Sequence, residues 1–439
     1  MLRDLSIEAI HKIFLGSGLK VCTDTRKPEP GSVFFALKGE SFNANEFALQ
    51  AIENGCAYAV VDEEKFANHE RCILVKDSLE TLQKLATTHR RKFSIPVLAI
   101  TGSNGKTTNK ELVHAVLSQK FNTLATIGNL NNHIGVPLTL LRLNSETEFA
   151  IIEMGANHQG EIDALCNIAE PVFGMITNIG KAHLEGFGGE EGVRKGKSEL
   201  YKYLKKQGGR IFINGDDEVL NDLGFENDKI TYGCRKLYDV IGKDITSGEH
   251  VSFKYTTRYG EKDWAKITPI RTNIIGTYNF INCLAAACIG NYFKVEPDKI
   301  AAALSNYHPN MNRSQVVKTE RNSLILDAYN ANPDSMRAAI TNFASYKADN
   351  KWLLLGDMFE LGVYSHQEHL NIVQLLHEFG FKNVALVGKE FYSLETSPFN
   401  KFRTTDECRT FLQELKLNGA TILIKGSRGM KMETLRDIL

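Results

Sequence analysis

The stretch Pro96–Glu111, PVLAITGSNGKTTNKE, constrains this chain more than any other. Pro96-Val97-Leu98-Ala99-Ile100 is a short apolar run of strand type. Thr101-Gly102-Ser103-Asn104-Gly105 cannot continue it and predicts a tight loop. Lys106-Thr107-Thr108 then opens a segment in which Leu112, Val113, Val116 and Leu117 recur at helical spacing. A strand, a glycine loop and a helix opening on Gly-Lys-Thr form an arrangement that cradles phosphate. Backbone N–H groups converge on the anion, and the helix dipole favours negative charge there. Lys106 adds a point charge for terminal phosphates, and Thr107 offers a hydroxyl to Mg²⁺. The general pattern G-x-x-x-x-G-K-[ST] is not met in full, because Ile100 stands where its first glycine falls. An ordinary helix start is the alternative reading, and the flanking strand and helix weigh against it.

At 439 residues the chain is too long for one ordinary core, so two to four domains are expected. Its formal net charge is zero, with no long basic or acidic block. That argues against a general nucleic-acid or membrane-surface binder, while leaving room for a local anion pocket. No apolar run approaches the ~20 residues that span a bilayer, and Met1–Phe14 lacks a signal-peptide core. Eight scattered cysteines, none in a C-x-x-C pair, fit reduced thiols. A cytoplasmic protein is the expectation, without nucleic acid or membrane insertion, and monomeric.

The patterning predicts an α/β protein of three domains. Residues 1–92 alternate short strands (32–37, 57–61, 73–75) with helices (5–15, 44–54, 79–92) and form a small α/β N-terminal domain, to which a family resemblance assigns the substrate. Within it, Thr25-Arg26 beside Lys38-Gly39 offers a phosphate contact, although a solvated turn and a strand end describe the same residues. Residues 93–308 form a central P-loop domain, a mostly parallel sheet flanked by helices on both faces. Its far part, 230–272, alternates like an antiparallel patch with a Tyr259-Gly260 turn. Residues 309–439 alternate again and form a Rossmann-like α/β C-terminal domain.

Ligands in such sheets gather beyond the carboxyl ends of strands. Glu153 ends the strand Phe149–Ile152, and His183 follows the strand Phe173–Thr177. A carboxylate and an imidazole there are placed to meet over the phosphate loop. Glu153 suits Mg²⁺, a hard cation that takes oxygen ligands, whereas composition alone does not select His183 for that ion. Leu184–Gly192 is glycine-rich and predicts loop, and Val193–Leu204 predicts a helix with a solvated lysine face. Asn279 and Asn282 open a helix at 276–287, as caps or as nucleotide contacts. Asp327–Pro333, Gly356–Gly362 and Lys425–Gly429 each follow a strand, and three such clusters at one end of a sheet make a binding edge.

Taken together, several runs resemble those of the Mur ligase family. They are D-T-R-K…P-G…A-L-K-G near the N-terminus, T-G-S-N-G-K-T-T, G-N-L-N-N-H-I-G-V-P (128–137), I-E-M-G-A-N (152–157), N-I-G-K-A-H-L-E-G-F-G (178–188), Y-N-F-I-N-C-L-A-A-A (278–287), D-A-Y-N-A-N-P, G-D-M-F-E-L-G and K-G-S-R-G-M-K-M-E (425–433). Those enzymes form amide bonds in bacterial cell-wall precursors at the expense of ATP. The Y-N-A-N-P and G-D-M-x-E-L-G runs are similar to those of the member that adds D-alanyl-D-alanine to UDP-N-acetylmuramoyl-tripeptide. The resemblance implies that ATP phosphorylates the tripeptide carboxylate and that the dipeptide amine attacks the acyl phosphate. It implies phosphate-loop contacts from Thr101, Gly102, Ser103, Asn104, Gly105, Lys106, Thr107 and Thr108. It puts Thr107 and Glu153 on one Mg²⁺ and His183 on a second. Lys197 matches a lysine that family members carbamylate, which makes it a further anionic metal ligand, in Gly196-Lys197-Ser198-Glu199 where the usual run is A-K-x-E. Lys106, His183 and Lys197 are thereby the expected catalytic set. Asn279 and Asn282 match adenine contacts, and Arg313 and Asp327 a clamp on phosphate and ribose. Asn330 and Asp357 are candidates for the dipeptide, and Thr25, Arg26, Lys38, Gly39, Asn131 and Asn132 for the UDP-sugar side. A sister ligase adding another amino acid is the near alternative. A P-loop switch or motor ATPase is the distant one, and it would not need Glu153, His183 and the lysine helix together.

Overall fold

A computed structural model describes residues 2–3, 5–247, 250–259, 263–264, 267–309 and 312–439. Three main sheets follow one another along the chain. The first has five parallel strands in the order Leu2–Arg3, Cys72–Leu74, Tyr58–Val61, Val33–Phe35, Val21–Cys22. Helix Ile7–Gly16 starts where Ser6 accepts the Ala9 N–H, and helix Ser78–Arg90 starts on the side chain of Asp77. Lys38-Gly39, expected to close a strand, forms a two-residue antiparallel ladder with Phe42–Asn43.

The second sheet is built on the strand Val97–Thr101, all five residues of which are buried. It runs in the order Asp263–Trp264, Val251–Tyr259, Val240–Ser247, Asp228–Gly233, Arg210–Asn214, Phe173–Ile176, Val97–Thr101, Phe149–Glu153, Thr123–Ala125. From Val240–Ser247 to Thr123–Ala125 every pairing is parallel. Val251–Tyr259 then pairs antiparallel with Val240–Ser247 and with Thr268–Arg271, so the patch expected over 230–272 is antiparallel only in these pairings, and its first strand, Asp228–Gly233, pairs parallel with both neighbours. Gly260 of the expected turn lies outside the described residues. Strand alternation gives the sheet two covered faces. Leu98 and Ile100 join the core under helices Lys106–Leu117 and Tyr278–Tyr292, and Val97 and Ala99 join the core on the other side. The fully buried Val97, Leu98 and Ile100 side chains each stabilise the sheet by about 1.5–3 kcal/mol. The two covering helices approach closely: a Cβ on Gly290 would lie 2.4 Å from Val116 Cγ1.

The expected loop 184–192 is corrected by the structure. Leu184–Phe187 forms one helical turn, and the next helix begins at Glu190 and runs to Gln207. Gly188 (φ 76°) and Gly189 (φ 104°) supply the positive φ values between them. Glu190 and Glu191 in the first turn suit the helix dipole. The same helix explains why glycine occupies position 196. The Phe187 ring stands 2.4 Å from where a Cβ would be, so alanine would collide.

The third sheet has six strands, in the order Gln315–Lys318, Ser323–Asp327, Thr421–Lys425, Lys351–Gly356, Val384–Val387, Asn400–Phe402. Its pairings are parallel except for the first hairpin. All eight cysteines are free, and only Cys234 is exposed. Among the described residues, no helix is long and apolar enough to cross a membrane.

Candidate active site

The loop after Val97–Thr101 is held by two glycines and by the neighbouring strand end. Gly102 (φ 139°) and Gly105 (φ 78°) take conformations that other residues rarely adopt. A Cβ on Gly102 would sit 2.0 Å from Thr177 Oγ1. Asn178 binds the loop twice, accepting the Asn104 N–H at 3.0 Å and donating to the Asn104 carbonyl at 3.0 Å. Ser103 Oγ meets the Gly180 carbonyl at 3.0 Å and the Gly180 N–H at 2.9 Å. Thr101 donates to the Met154 carbonyl at 2.7 Å and so links two adjacent strand ends.

Lys106 opens the helix and folds back, donating to the carbonyls of Gly102 (2.7 Å) and Ser103 (3.1 Å). Burial pushes its pKa down to about 8, against the attraction of Glu153 and with some repulsion from Arg313. The buried Glu153 takes both of its hydrogen bonds on Oε1, from Thr107 Oγ1 at 3.1 Å and Asn131 Nδ2 at 2.8 Å. Its Oε2 is buried without a partner. A buried carboxylate oxygen with no donor, beside a hydroxyl, fits an oxygen-seeking divalent cation.

Lys197 is almost fully buried. Its ammonium nitrogen lies 3.2 Å from the Ala156 carbonyl and 5.1 Å from the Phe187 ring centre. Burial holds its pKa well below the usual lysine value, and the charge of Lys106 acts in the same direction. It is therefore set apart from the exposed Lys195, Lys202, Lys205 and Lys206. His183 has a left-handed backbone (φ 55°) and pairs through Nδ1 with Glu360 at 2.5 Å. Glu360 is itself left-handed (φ 63°).

Asn279 and Asn282 do not cap their helix. Asn282 accepts from Asn109 at 2.7 Å and donates to Asn279 Oδ1 at 2.8 Å, while Asn279 donates to the Ile275 carbonyl at 2.8 Å. This ladder lies against Gly105, whose absent Cβ would approach Asn282 Oδ1 at 3.3 Å. The third sheet adds Asp327, which accepts from Lys425 Nζ at 2.6 Å and the Ser314 N–H at 3.1 Å. It also adds Arg313, stacked 3.6 Å from the Tyr329 ring centre with Nε buried and unpartnered.

These groups share one cleft of about 1260 Å³. Ser103 through Thr108, Asn131, Asn132, Glu153, His183, Asn279, Asn282, Arg313, Asp327 and Asn330 line it. Thr101, Gly102 and Lys197 are not part of the lining, although Thr101-Gly102 lead into Ser103 and Lys197 donates to the carbonyl of the lining residue Ala156. Asp357 does not reach it. Its buried carboxylate accepts the backbone N–H groups of Glu390 (2.9 Å) and Phe391 (3.0 Å), which suits a structural anchor better than a dipeptide contact. Thr25 and Arg26 lie in the turn after Val21–Cys22, and Lys38 and Gly39 in the two-residue ladder with Phe42–Asn43, all four outside the lining. There Arg26 binds Asp24, and Lys38 pairs with Asp62 and Glu63.

Several participants escaped the sequence reading. Asn332 Nδ2 donates to Asn104 Oδ1 at 2.7 Å, Lys181 pairs with Glu368 at 2.7 Å, and the Lys181 N–H donates to Asp334 at 2.6 Å. With His183–Glu360 they seat the third sheet's loops on the phosphate loop, through Asn104, and on the loop after Phe173–Ile176, through Lys181 and His183. Asn332, Lys181 and Glu360 fall inside runs singled out above, but a single sequence gives a residue no partner.

The chain matches two family models, the Mur ligase middle domain over residues 100–290 and the Mur ligase, glutamate ligase domain over 312–428. It is 37% identical to the UDP-N-acetylmuramoyl-tripeptide–D-alanyl-D-alanine ligase of Bacillus subtilis (strain 168), over 95% of this chain and 93% of the relative. The enzyme of that name from Escherichia coli (strain K12) is also 37% identical, over 94% and 92%. Among solved structures, a crystal structure of MurF from Acinetobacter baumannii superposes with a TM-score of 0.86 at 33% identity, covering 95% and 92%. MurF ligase from Thermotoga maritima in complex with ADP gives 0.84 at 25% identity, covering 95% and 96%. With the phosphate loop, the facing carboxylate and these likenesses in hand, the chain belongs to the Mur ligase family, in the group of the UDP-N-acetylmuramoyl-tripeptide–D-alanyl-D-alanine ligases.

Proposed function

We propose that this protein is an ATP-dependent ligase that joins D-alanyl-D-alanine to UDP-N-acetylmuramoyl-tripeptide, making the UDP-pentapeptide precursor of peptidoglycan. The observation that carries the reading is a single cleft. In it a phosphate loop faces the unpartnered oxygen of Glu153 while strand-end loops of a third sheet close over it. That is a site for bringing several anions together, which a carboxylate phosphorylation requires.

Each residue then has a task. The N–H groups of Ser103 to Thr108 hold the nucleotide phosphates, and Lys106 leaves its loop carbonyls to meet the terminal phosphoryl group. Thr107 and Glu153 would hold Mg²⁺, which supplies charge neutralisation for phosphoryl transfer. His183, with Nδ1 committed to Glu360, keeps Nε2 for a second ion. The depressed pKa of Lys197 favours the neutral amine that reacts with CO₂, releasing a proton and leaving a carbamate anion beside Lys106. Asn279 and Asn282 contact the adenine side, and Arg313 with Asp327 the phosphate and ribose. Asn131 and Asn132, with Thr25, Arg26, Lys38 and Gly39, face the UDP-sugar, and Asn330 the dipeptide. Residues 1–92, 93–308 and 309–439 bring carboxylate substrate, nucleotide and amine, so seating the third unit excludes water from the acyl phosphate. We place the enzyme in the cytoplasm as a monomer.

The test is phosphate release from ATP with UDP-N-acetylmuramoyl-tripeptide, with and without the dipeptide, followed by mass analysis. Release that needs both substrates and yields the UDP-pentapeptide is expected. Release indifferent to the dipeptide would favour a sister ligase or a plain ATPase.

A further inference from the structure

Two arginines of the third sheet's loops rest on one aromatic ring. The guanidinium carbon of Arg313 lies 3.6 Å from the Tyr329 ring centre, and that of Arg428 lies 5.0 Å from it. All three residues line the cleft. Among the described residues, neither guanidinium has an ion pair or hydrogen bond, whereas the acidic groups nearby are already engaged. Asp327 is held by Lys425, Asp334 by the Lys181 N–H and Glu360 by His183. Two cations against one ring without a counter-charge favour bound anions.

The two arginines divide by position. Arg313 precedes Ser314, whose Oγ lies 3.0 Å from the Tyr278 hydroxyl at the start of the helix that carries Asn279 and Asn282, and this puts Arg313 on the nucleotide side. Arg428 belongs to the loop after Thr421–Lys425, and that loop is fastened to the turn carrying Phe359. Ser427 Oγ accepts the Phe359 N–H at 2.8 Å. Gly429 packs so close that a Cβ would stand 2.6 Å from the Phe359 ring. Phe359 keeps 45% of its surface exposed and lines the same cleft. A planar cation beside an apolar ring matches a short, methyl-bearing peptide that ends in a free carboxylate.

We propose that Arg428 anchors the C-terminal carboxylate of the acceptor dipeptide, with Phe359 as the apolar wall for its methyl group. This rests on the ligase reading above. A charge-assisted bond of this kind is worth about 10- to 100-fold in affinity. The test uses the full chain with ATP, the UDP-tripeptide and either D-alanyl-D-alanine or its C-terminal carboxamide. The unaltered protein prefers the acid over the amide by that factor. Arg428→Gln raises KM for the dipeptide about 10- to 100-fold, leaves KM for ATP unchanged and abolishes the acid–amide preference. Arg428→Lys, which keeps the charge but not the fork, retains part of the preference. Arg428 is exposed, and matching unfolding curves identify the folded variants. Retention of the preference in Arg428→Gln, or a shift confined to KM for ATP, overturns the anchor while the ligase reading stands. No product from the unaltered protein overturns the ligase reading and the anchor with it.

Discussion

Lys106 makes nucleotide affinity depend on pH in a way that can be worked from its surroundings. Burial lowers its pKa to about 8 in the free protein. The cationic form is complete below that value and is lost as pH rises through it. Nucleotide phosphates favour the cation, so binding raises the pKa again and takes up a proton above pH 8. The charged fraction falls from about 0.9 at pH 7 to about 0.1 at pH 9, so affinity falls about tenfold, or about 1.4 kcal/mol. The phosphates themselves are largely ionised throughout this range. The assay is calorimetric titration with ADP in EDTA, at pH 7 and pH 9, in two buffers of different ionisation enthalpy. The expected signature is the tenfold loss, proton uptake at the higher pH, and neither effect in Lys106→Gln. A flat profile in the unaltered protein, or the same slope in Lys106→Gln, would refute the reasoning.

Other substitutions probe the neighbouring groups. Glu153→Gln removes the carboxylate whose Oε2 has no partner, so the Mg²⁺ concentration needed for half-maximal activity rises at least about tenfold while metal-free ADP binding persists; an unchanged Mg²⁺ requirement would count against the metal assignment. Lys197→Met replaces a buried amine by an apolar chain of similar length beside Phe187. The fold penalises the protonated form, so a lysine charged in the unfolded chain costs stability at neutral pH. The variant gains about 0.5–2 kcal/mol and loses ligation, read by thermal unfolding and product assay; a lower Tm would contradict this. Gly102→Ala sets a Cβ against Thr177 at positive φ, and about 2–4 kcal/mol of strain displaces the phosphate loop. ADP affinity then drops before global stability does, and unchanged affinity would show that the loop yields elsewhere.

The sequence was most informative where causes are local. The strand Val97–Thr101, its glycine turn and the helix Lys106–Leu117 follow from alternation, from positive φ at two glycines and from apolar spacing, all within about twenty residues. The strands of the 230–272 patch were legible because period-two alternation survives without knowledge of the partner strand, but alternation does not record direction, and Asp228–Gly233 pairs parallel where Val251–Tyr259 pairs antiparallel. The stretch 184–192 was misread because its glycines separate two helical segments that packing stabilises, and composition records only the breaks.

What the fold alone decided are contacts between residues far apart in the chain. The lysine helix carries several similar cations, and only its packing against Phe187 and Ala156 buries Lys197 and lowers its pKa. The same ring leaves room only for glycine at 196. Asn332 reaches Asn104 across 228 positions, and Lys181 reaches Glu368 across 187. Asp357, polar and near a strand end, had the sequence profile of a ligand contact, but its carboxylate is consumed by backbone N–H groups. Local sequence sets which conformations a segment can adopt at low cost, whereas burial, pKa and pairing depend on what the rest of the chain brings alongside.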